Sequence, residues 1–374
     1  MNKNILIRSS VVTLVMAFSV MGGISTAVFA DSYKGEKEYT ESTSEAENMY
    51  SSSTRNMNAI LAKDGSVNFT KPIISKSGDG DENDGRNAAV LAIDYANLRI
   101  NGGEVKTDAE YSDAVYALGD ASVKLSNVSI YTLGGASNAV AVADGGTATV
   151  DSVSIEISGY SAAFSFAGGK NASEINVEKS TINAGSNNKL LNVDSDGVFK
   201  MKKMTARGET WVSKDVSLEI VLSERAELNG RINGDKAGKV ALTIDEKSRI
   251  LLSGDSYVDS LENKKSDNSN IYANGHKLFV AGKEVSINQA EPEKWEYDFT
   301  TETTEPAKPE EKPVEKDKSM LYLLLVGAVI LFVIALGSVV VLFKRYNRTK
   351  QKMIEKKTIE KSAKNQLKKP WEKA

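Results

Sequence analysis

Hydrophobic and polar positions repeat with a long period through residues 87–287. The phrase Asn87-Ala88-Ala89-Val90-Leu91-Ala92 returns as Asp113-Ala114-Val115-Tyr116-Ala117, as Asn138-Ala139-Val140-Ala141-Val142 and as Ala162-Ala163-Phe164-Ser165-Phe166, every 24 or 25 residues. A Gly or Asp turn follows each copy, then a second alternating phrase: Leu98-Arg99-Ile100, Val123-Lys124-Leu125, Ala148-Thr149-Val150 and Ile175-Asn176-Val177. A further pair completes the unit, as in Val128 with Ile130 and Val153 with Ile155. Alternation of this kind marks strands with one buried side.

The period suits a coil of three short strands and three turns. Leucine-rich repeats share it, but they need a Leu-x-x-Leu-x-Leu ladder that is missing here. The pattern therefore predicts an all-β parallel solenoid of about 7–8 coils over 87–288. Successive coils stack about 4.8 Å apart, so aliphatic residues at equal positions form inward columns. Ala89, Ala114, Ala139 and Ala163 are expected to make one of them. Pairs such as Gly102-Gly103 and Gly145-Gly146 supply the tight corners. After Ala184 the register loosens. Leu190 to Met204, Leu218 to Ile232 and Val240 to Tyr257 read as further coils, residues 262–270 as a polar loop, and 278–287 as a closing strand pair.

The flanks divide the rest of the chain. Residues 1–30 carry Lys3 and Arg8, an apolar run and small residues before Asp31, and read as a secretory signal peptide. Residues 31–57 are rich in Ser, Glu and Thr without periodicity and read as a disordered arm. Weak alternation over 58–86 reads as an N-terminal cap for the open solenoid end. Four of the six prolines fall in 289–318, a charged stalk. Residues 319–343 end in a 23-residue stretch without charge, long enough to be a transmembrane helix. The tail 344–374 holds 12 basic against 3 acidic residues, a net +9, and is cytoplasmic by the positive-inside rule. Residues 31–318 then carry −14. The expected topology is single-pass type I, with the solenoid extracellular and the lipid bilayer as a partner.

Candidate chemistry is sparse. The chain has no cysteine and one histidine, His276, in a polar turn, which removes most zinc, thiol and imidazole sites. Asp79, Asp81 and Asn83 have the first three ligand spacings of a calcium loop. Position six is Asp84 rather than Gly, however, and position twelve is Val90, so a solvated acidic turn competes with calcium binding. Asp120 and Asp144 occupy turns of successive coils and are the best-placed carboxylate pair; Asp94, Asp151, Asp194, Asp196, Arg99 and Lys124 complete the catalytic candidates. Turn-capping is the commoner use of such aspartates. Tyr95, Tyr111, Tyr116, Tyr131 and Tyr160 are candidates for an aromatic sugar-binding strip. Neither catalytic residues nor a cofactor other than calcium are expected.

The opening phrase Phe69-Thr70-Lys71-Pro72-Ile73-Ile74-Ser75-Lys76-Ser77-Gly78-Asp79, the acidic run and the repeat grammar resemble the β-helical cell-surface proteins of Gram-positive Firmicutes. Those proteins are similar in fold to pectin lyases and adhesin passenger domains. The resemblance implies a right-handed parallel β-helix and an exposed location, with no defined reaction. The expected function is display, adhesin-like or structural, toward a cell-wall glycan or a host surface protein. A polysaccharide lyase or glycoside hydrolase of the same fold is the alternative. Nucleic acid is not an expected partner.

Overall fold

The computed structural model describes residues 33–184 and 188–293. The leader at 1–30, nearly all of the stalk, the span expected at 319–343 and the basic tail lie outside these residues. Within them the chain is an all-β parallel solenoid of about ten turns with no helix. A representative coil contains Val115–Leu118, Ser122–Ser126 and Ser129–Thr132. Each strand pairs in parallel with its equivalent in the coils before and after: Val115 with Val90 and Val140, Leu125 with Ile100 and Val150, Ile130 with Val105 and Ile155. This builds a first sheet of eight strands, a second of ten and a third of six, the third continued by a four-stranded sheet over the late coils.

The alanine column forms as expected and is longer. Ala59, Ala89, Ala114, Ala139 and Ala163 stack without solvent exposure, and Leu190 continues the row. Larger residues appear where the coil can take them. Phe164 meets Phe199 at 5.4 Å between ring centroids. Gly197 is obligatory beside them, because a Cβ there would sit 2.3 Å from the Phe166 ring.

Corners between the third and first sheets bury backbone N–H groups that the strand ladder does not satisfy. Side chains of the next coil accept from them: Asn56 N–H donates to Asn87 Oδ1 at 2.9 Å and Ser112 N–H to Ser137 Oγ at 2.9 Å. Ser137 N–H then reaches Ser161 Oγ at 2.9 Å, and Ser161 N–H reaches Asn188 Oδ1 at 3.0 Å. Each removes a desolvation cost of roughly 1–3 kcal/mol.

Two boundaries differ from the sequence reading. The segment 31–57, expected as a disordered arm, forms from residue 35 a complete first coil of Gly35–Tyr39, Thr43–Ala46 and Met49–Ser52, each strand paired with the second coil. The expected cap 58–86 is that second coil, Asn58–Ala62, Ser66–Thr70 and Ile73–Lys76, followed by a loop. Glu45 explains the misreading. It stands in the inward column above Phe69 and Ile100, where its carboxylate accepts from the Tyr39 hydroxyl at 2.9 Å and the Tyr50 hydroxyl at 2.5 Å. The Tyr50 hydrogen bond, with that of Tyr39, holds the Glu45 carboxyl below the usual range despite desolvation. Both rings pack edge-on against Phe69, at 5.5 and 5.3 Å. A polar plug with an inward charge protects the open edge against strand addition, and it erases the apolar alternation that announces a strand. At the other end, Ser260–Asn263 pairs with Lys239–Ile244, so Glu262 and Asn263 belong to the second sheet rather than to a loop. The expected closing pair is present as Leu278–Val280 against Lys283–Glu284, the one antiparallel pairing among the described residues.

The first sheet is apolar on its outer side as well. Leu61, Leu91, Tyr116 and Ala141 are buried there in a second cluster with Tyr33. The loop after Lys76 packs on it: Gly85 sits against Leu91 and Tyr116, and the Tyr33 hydroxyl donates to the Asp84 carbonyl at 3.3 Å. Asp113 is buried beside this layer and accepts from the N–H and Nδ2 of Asn138 at 2.6 and 2.9 Å. Burial pushes its carboxyl up from 3.8 to about 7. The unfolded chain therefore loses this proton first, and stability falls as pH rises from about 4 to about 7. Asp113→Asn is expected to be more stable than the parent at pH 7.5, by about 1–3 kcal/mol, with the gap closing near pH 4. Urea unfolding at both pH values measures it; equal pH slopes for the two proteins would refute it.

Candidate functional site

Of the aspartates singled out in the sequence, Asp79, Asp81, Asp144, Asp194 and Asp196 serve as connectors between coils. Asp79 accepts the Glu110 N–H at 2.9 Å; Asp81 takes the Arg55 guanidinium and, at 2.6 Å, the Asn56 amide. Asn83 Oδ1 is buried without a hydrogen-bond partner. The carboxylates of Asp79 and Asp81 are thus committed to different neighbours. Among the described residues no group of three or more His, Cys, Asp or Glu is placed to hold a metal ion.

Asp120 and Asp144 are not equivalent. Leu118 pairs with Ala143, which sets Asp144 opposite Gly119 and Asp120 opposite Gly145. Asp144 has φ of 50°, and its Oδ1 accepts from Lys170 N, Asn171 N and Asn171 Nδ2 at 2.9 to 3.1 Å. That is turn-capping of the next coil. Asp194 accepts from Asn192 Nδ2 and Ser213 Oγ, Asp196 from Ser217 N–H, and Asp151 from Ser152 Oγ. Desolvation raises the Asp94 carboxyl, which sits at another left-handed corner. Arg99 and Lys124 are neighbours on the outer side of the second sheet, exposed and apart from these corners. The tyrosines form no continuous strip: Tyr95 projects from one corner, Tyr111 and Tyr160 from another, two coils apart, Tyr116 is buried and Tyr131 lies on the third sheet. His276 is half-buried in a turn, with Nδ1 4.0 Å from Asp255.

The late coils hold an arrangement that sequence reading missed. Tyr257 ends one of the coils read from the sequence and Phe279 lies in the expected closing pair; both are half-buried, paired in register and stacked at 4.8 Å with ring planes 11° apart. Lys236 Nζ lies 4.1 Å over the Tyr257 ring. Trp211, two coils before Tyr257, carries Lys189 Nζ 4.2 Å over its ring and donates its indole N–H to Asp235 at 3.2 Å. Two aromatic faces thus seat ammonium groups, an attraction worth about 0.5–1 kcal/mol each at exposed sites.

Beside Tyr257 lies a cavity of about 190 Å³, lined by Asn233, Lys236, Gly238, Tyr257, Asp259 and Phe279 among others. The loop through 233–238 makes one wall. Asn233 is buried in the left-handed region, φ 46°. Its Nδ2 donates to Gly238 O at 2.8 Å, while its Oδ1 is buried without a partner. Coil lengths vary after residue 184, so no fixed period superimposes Trp211, Tyr257 and Phe279. Lys76 gave equally little sign. It is buried, donates to Thr54 O at 3.0 Å and Gly78 O at 2.5 Å, and desolvation pushes it down to about 8.

A second cavity, about 360 Å³, lies outside the four-stranded sheet between Arg207, Glu227, Arg249 and Glu293. Arg249 pairs with Glu227 at 2.5 Å, both nearly buried, and donates to the Glu293 carbonyl at 2.9 Å. The ion pair therefore pins the segment that leaves the solenoid. No family model matches this sequence, no curated protein matches it and no solved structure matches it. Arg249→Ala leaves Glu227 buried and unpaired and is expected to cost about 3–5 kcal/mol. The double replacement Glu227→Leu with Arg249→Met is expected to cost far less. Denaturant midpoints of the two variants measure this, and equal losses would contradict it.

Proposed function

We propose that this chain is a membrane-anchored, cell-surface β-solenoid that acts by display, adhesin-like, binding a glycan or surface protein without chemically changing it. The reading includes right-handed winding, a cleaved leader at 1–30, a single span at 319–343 and a cytoplasmic tail at 344–374. One observation carries the binding role: the aromatic and ammonium column of Trp211, Lys189, Tyr257 and Lys236, set beside a cavity on an outward surface. Aromatic rings and a few placed polar groups are the usual furniture of a recognition site. Of Asp120 and Asp144, which resemble a glycosidase pair, Asp144 is used instead to cap the turn of the next coil, and it stands opposite Gly119 rather than Asp120. The acidic ectodomain favours neutral or cationic partners over polyanions, unless a divalent cation bridges them.

The test uses cells displaying the full chain, on arrays of cell-wall polysaccharides, plant glycans and matrix proteins, with calcium and with chelator. Released reducing or unsaturated sugar ends are assayed in parallel. Because the chain has no cysteine, single cysteines at Ser158 and Lys356 report sidedness to an impermeant maleimide. Binding without product and labelling at Ser158 alone are expected. Product formation, or labelling at Lys356 on intact cells, would overturn the reading.

A further inference from the structure

We propose that the cavity beside Tyr257 binds the acetamido group of an N-acetylated hexose carried at a chain end or branch of a glycan. This rests on the display reading and names the partner chemistry. The buried Asn233 amide has its nitrogen fixed on Gly238 O, and its oxygen is left without a donor. An unpartnered buried acceptor costs free energy, which a ligand N–H recovers when a shift of the loop through 233–238 opens the oxygen to the cavity. The Lys236 ammonium, held on the Tyr257 ring, supplies a donor for a carbonyl oxygen. Tyr257, Val258 and Phe279 supply an apolar wall for a methyl group. Asp259 uses Oδ2 to accept the Val240 N–H at 2.8 Å, leaving its other oxygen for a ring hydroxyl.

An N-acetylated hexose presents an N–H donor, a carbonyl acceptor, a methyl group and hydroxyls together. A plain hexose lacks the first three. A free hexosamine lacks the carbonyl and the methyl group and would set its ammonium against Lys236. The size agrees: about 190 Å³ is below the roughly 300–1,000 Å³ of pockets that enclose a whole ligand. It takes one substituent or one ring, with the rest of the polymer lying over the open surface.

Calorimetry on the full-length chain in detergent micelles tests this with N-acetyl-D-glucosamine, N-acetyl-D-galactosamine, D-glucose and D-glucosamine. At least one N-acetylated sugar is expected to bind saturably, at least tenfold tighter than glucose or glucosamine. Lys236→Met is expected to weaken it about fivefold or more, with a melting temperature within about 4 °C of the parent's. Asp259→Asn, which keeps an oxygen for the Val240 N–H, is expected to weaken it similarly. Equal affinity for glucose overturns the proposal, as does binding that neither variant weakens; both leave display standing. Polymer binding on the array without any binding of these sugars also overturns the site alone. Absence of all polymer and protein binding overturns the site and the display reading together.

Discussion

Apart from the closing Lys283–Glu284, every described strand depends on the strand one coil away for its hydrogen bonds, because within a coil the strands run along different sheets and do not pair. A regular coil has about seven or eight inward aliphatic side chains and no internal ladder, so it cannot offset its own chain entropy. Stability is therefore a property of the stack. The requirement reaches the corners, where the N–H groups left out of the ladder are taken by the Asn87, Ser137, Ser161 and Asn188 side chains of the following coil. It also reaches both ends. Glu45 with Tyr39 and Tyr50 closes the first coil, and the antiparallel turn of Leu278–Val280 onto Lys283–Glu284 closes the last.

Much of this was legible in the chain. The alanine column could be read because coils three to six keep a near-constant length, so that Ala89, Ala114, Ala139 and Ala163 fall into register by counting. The first coil could not, since its inward positions hold a carboxylate and two hydroxylated rings that look solvent-exposed on paper. The Asp120 and Asp144 pairing failed by one residue. In a solenoid that slip is enough to put Asp144 opposite a glycine, and its oxygen on the next turn. The aromatic column failed for the complementary reason. Once coil length varies, apolar residues such as Tyr257 and Phe279 cannot be assigned inward or outward by period alone.

The same division separates scaffold from site. Where coil length is regular, corner residues are consumed by coil-to-coil bonds and little is left over for a partner. Where it is irregular, the loop through 233–238 stands off the stack, makes a cavity and leaves Asn233 with an unpartnered acceptor. The cavity and the Tyr257–Phe279 stack thus lie on the late coils, while the early coils hold the closed end. Arg249 and Glu227 tie the departing segment to the four-stranded sheet of those late coils.

The central claim, that the polar segment upstream of Asn58 is the docked first turn of a continuous stack, is open to a direct measurement. The amides of Asn58, Lys63, Ile73 and Ser77 donate to Lys34, Tyr39, Asn48 and Ser52 of that coil, at 2.8 to 3.0 Å. Native-state hydrogen exchange on the full chain reads their opening. Protection of these four amides is expected to persist for hours alongside that of Ala114 and Ala139 in the middle coils. Exchange at the rate of an unstructured peptide, with Ala114 still protected, would mean that the first coil is not docked and that the stack begins at Asn58.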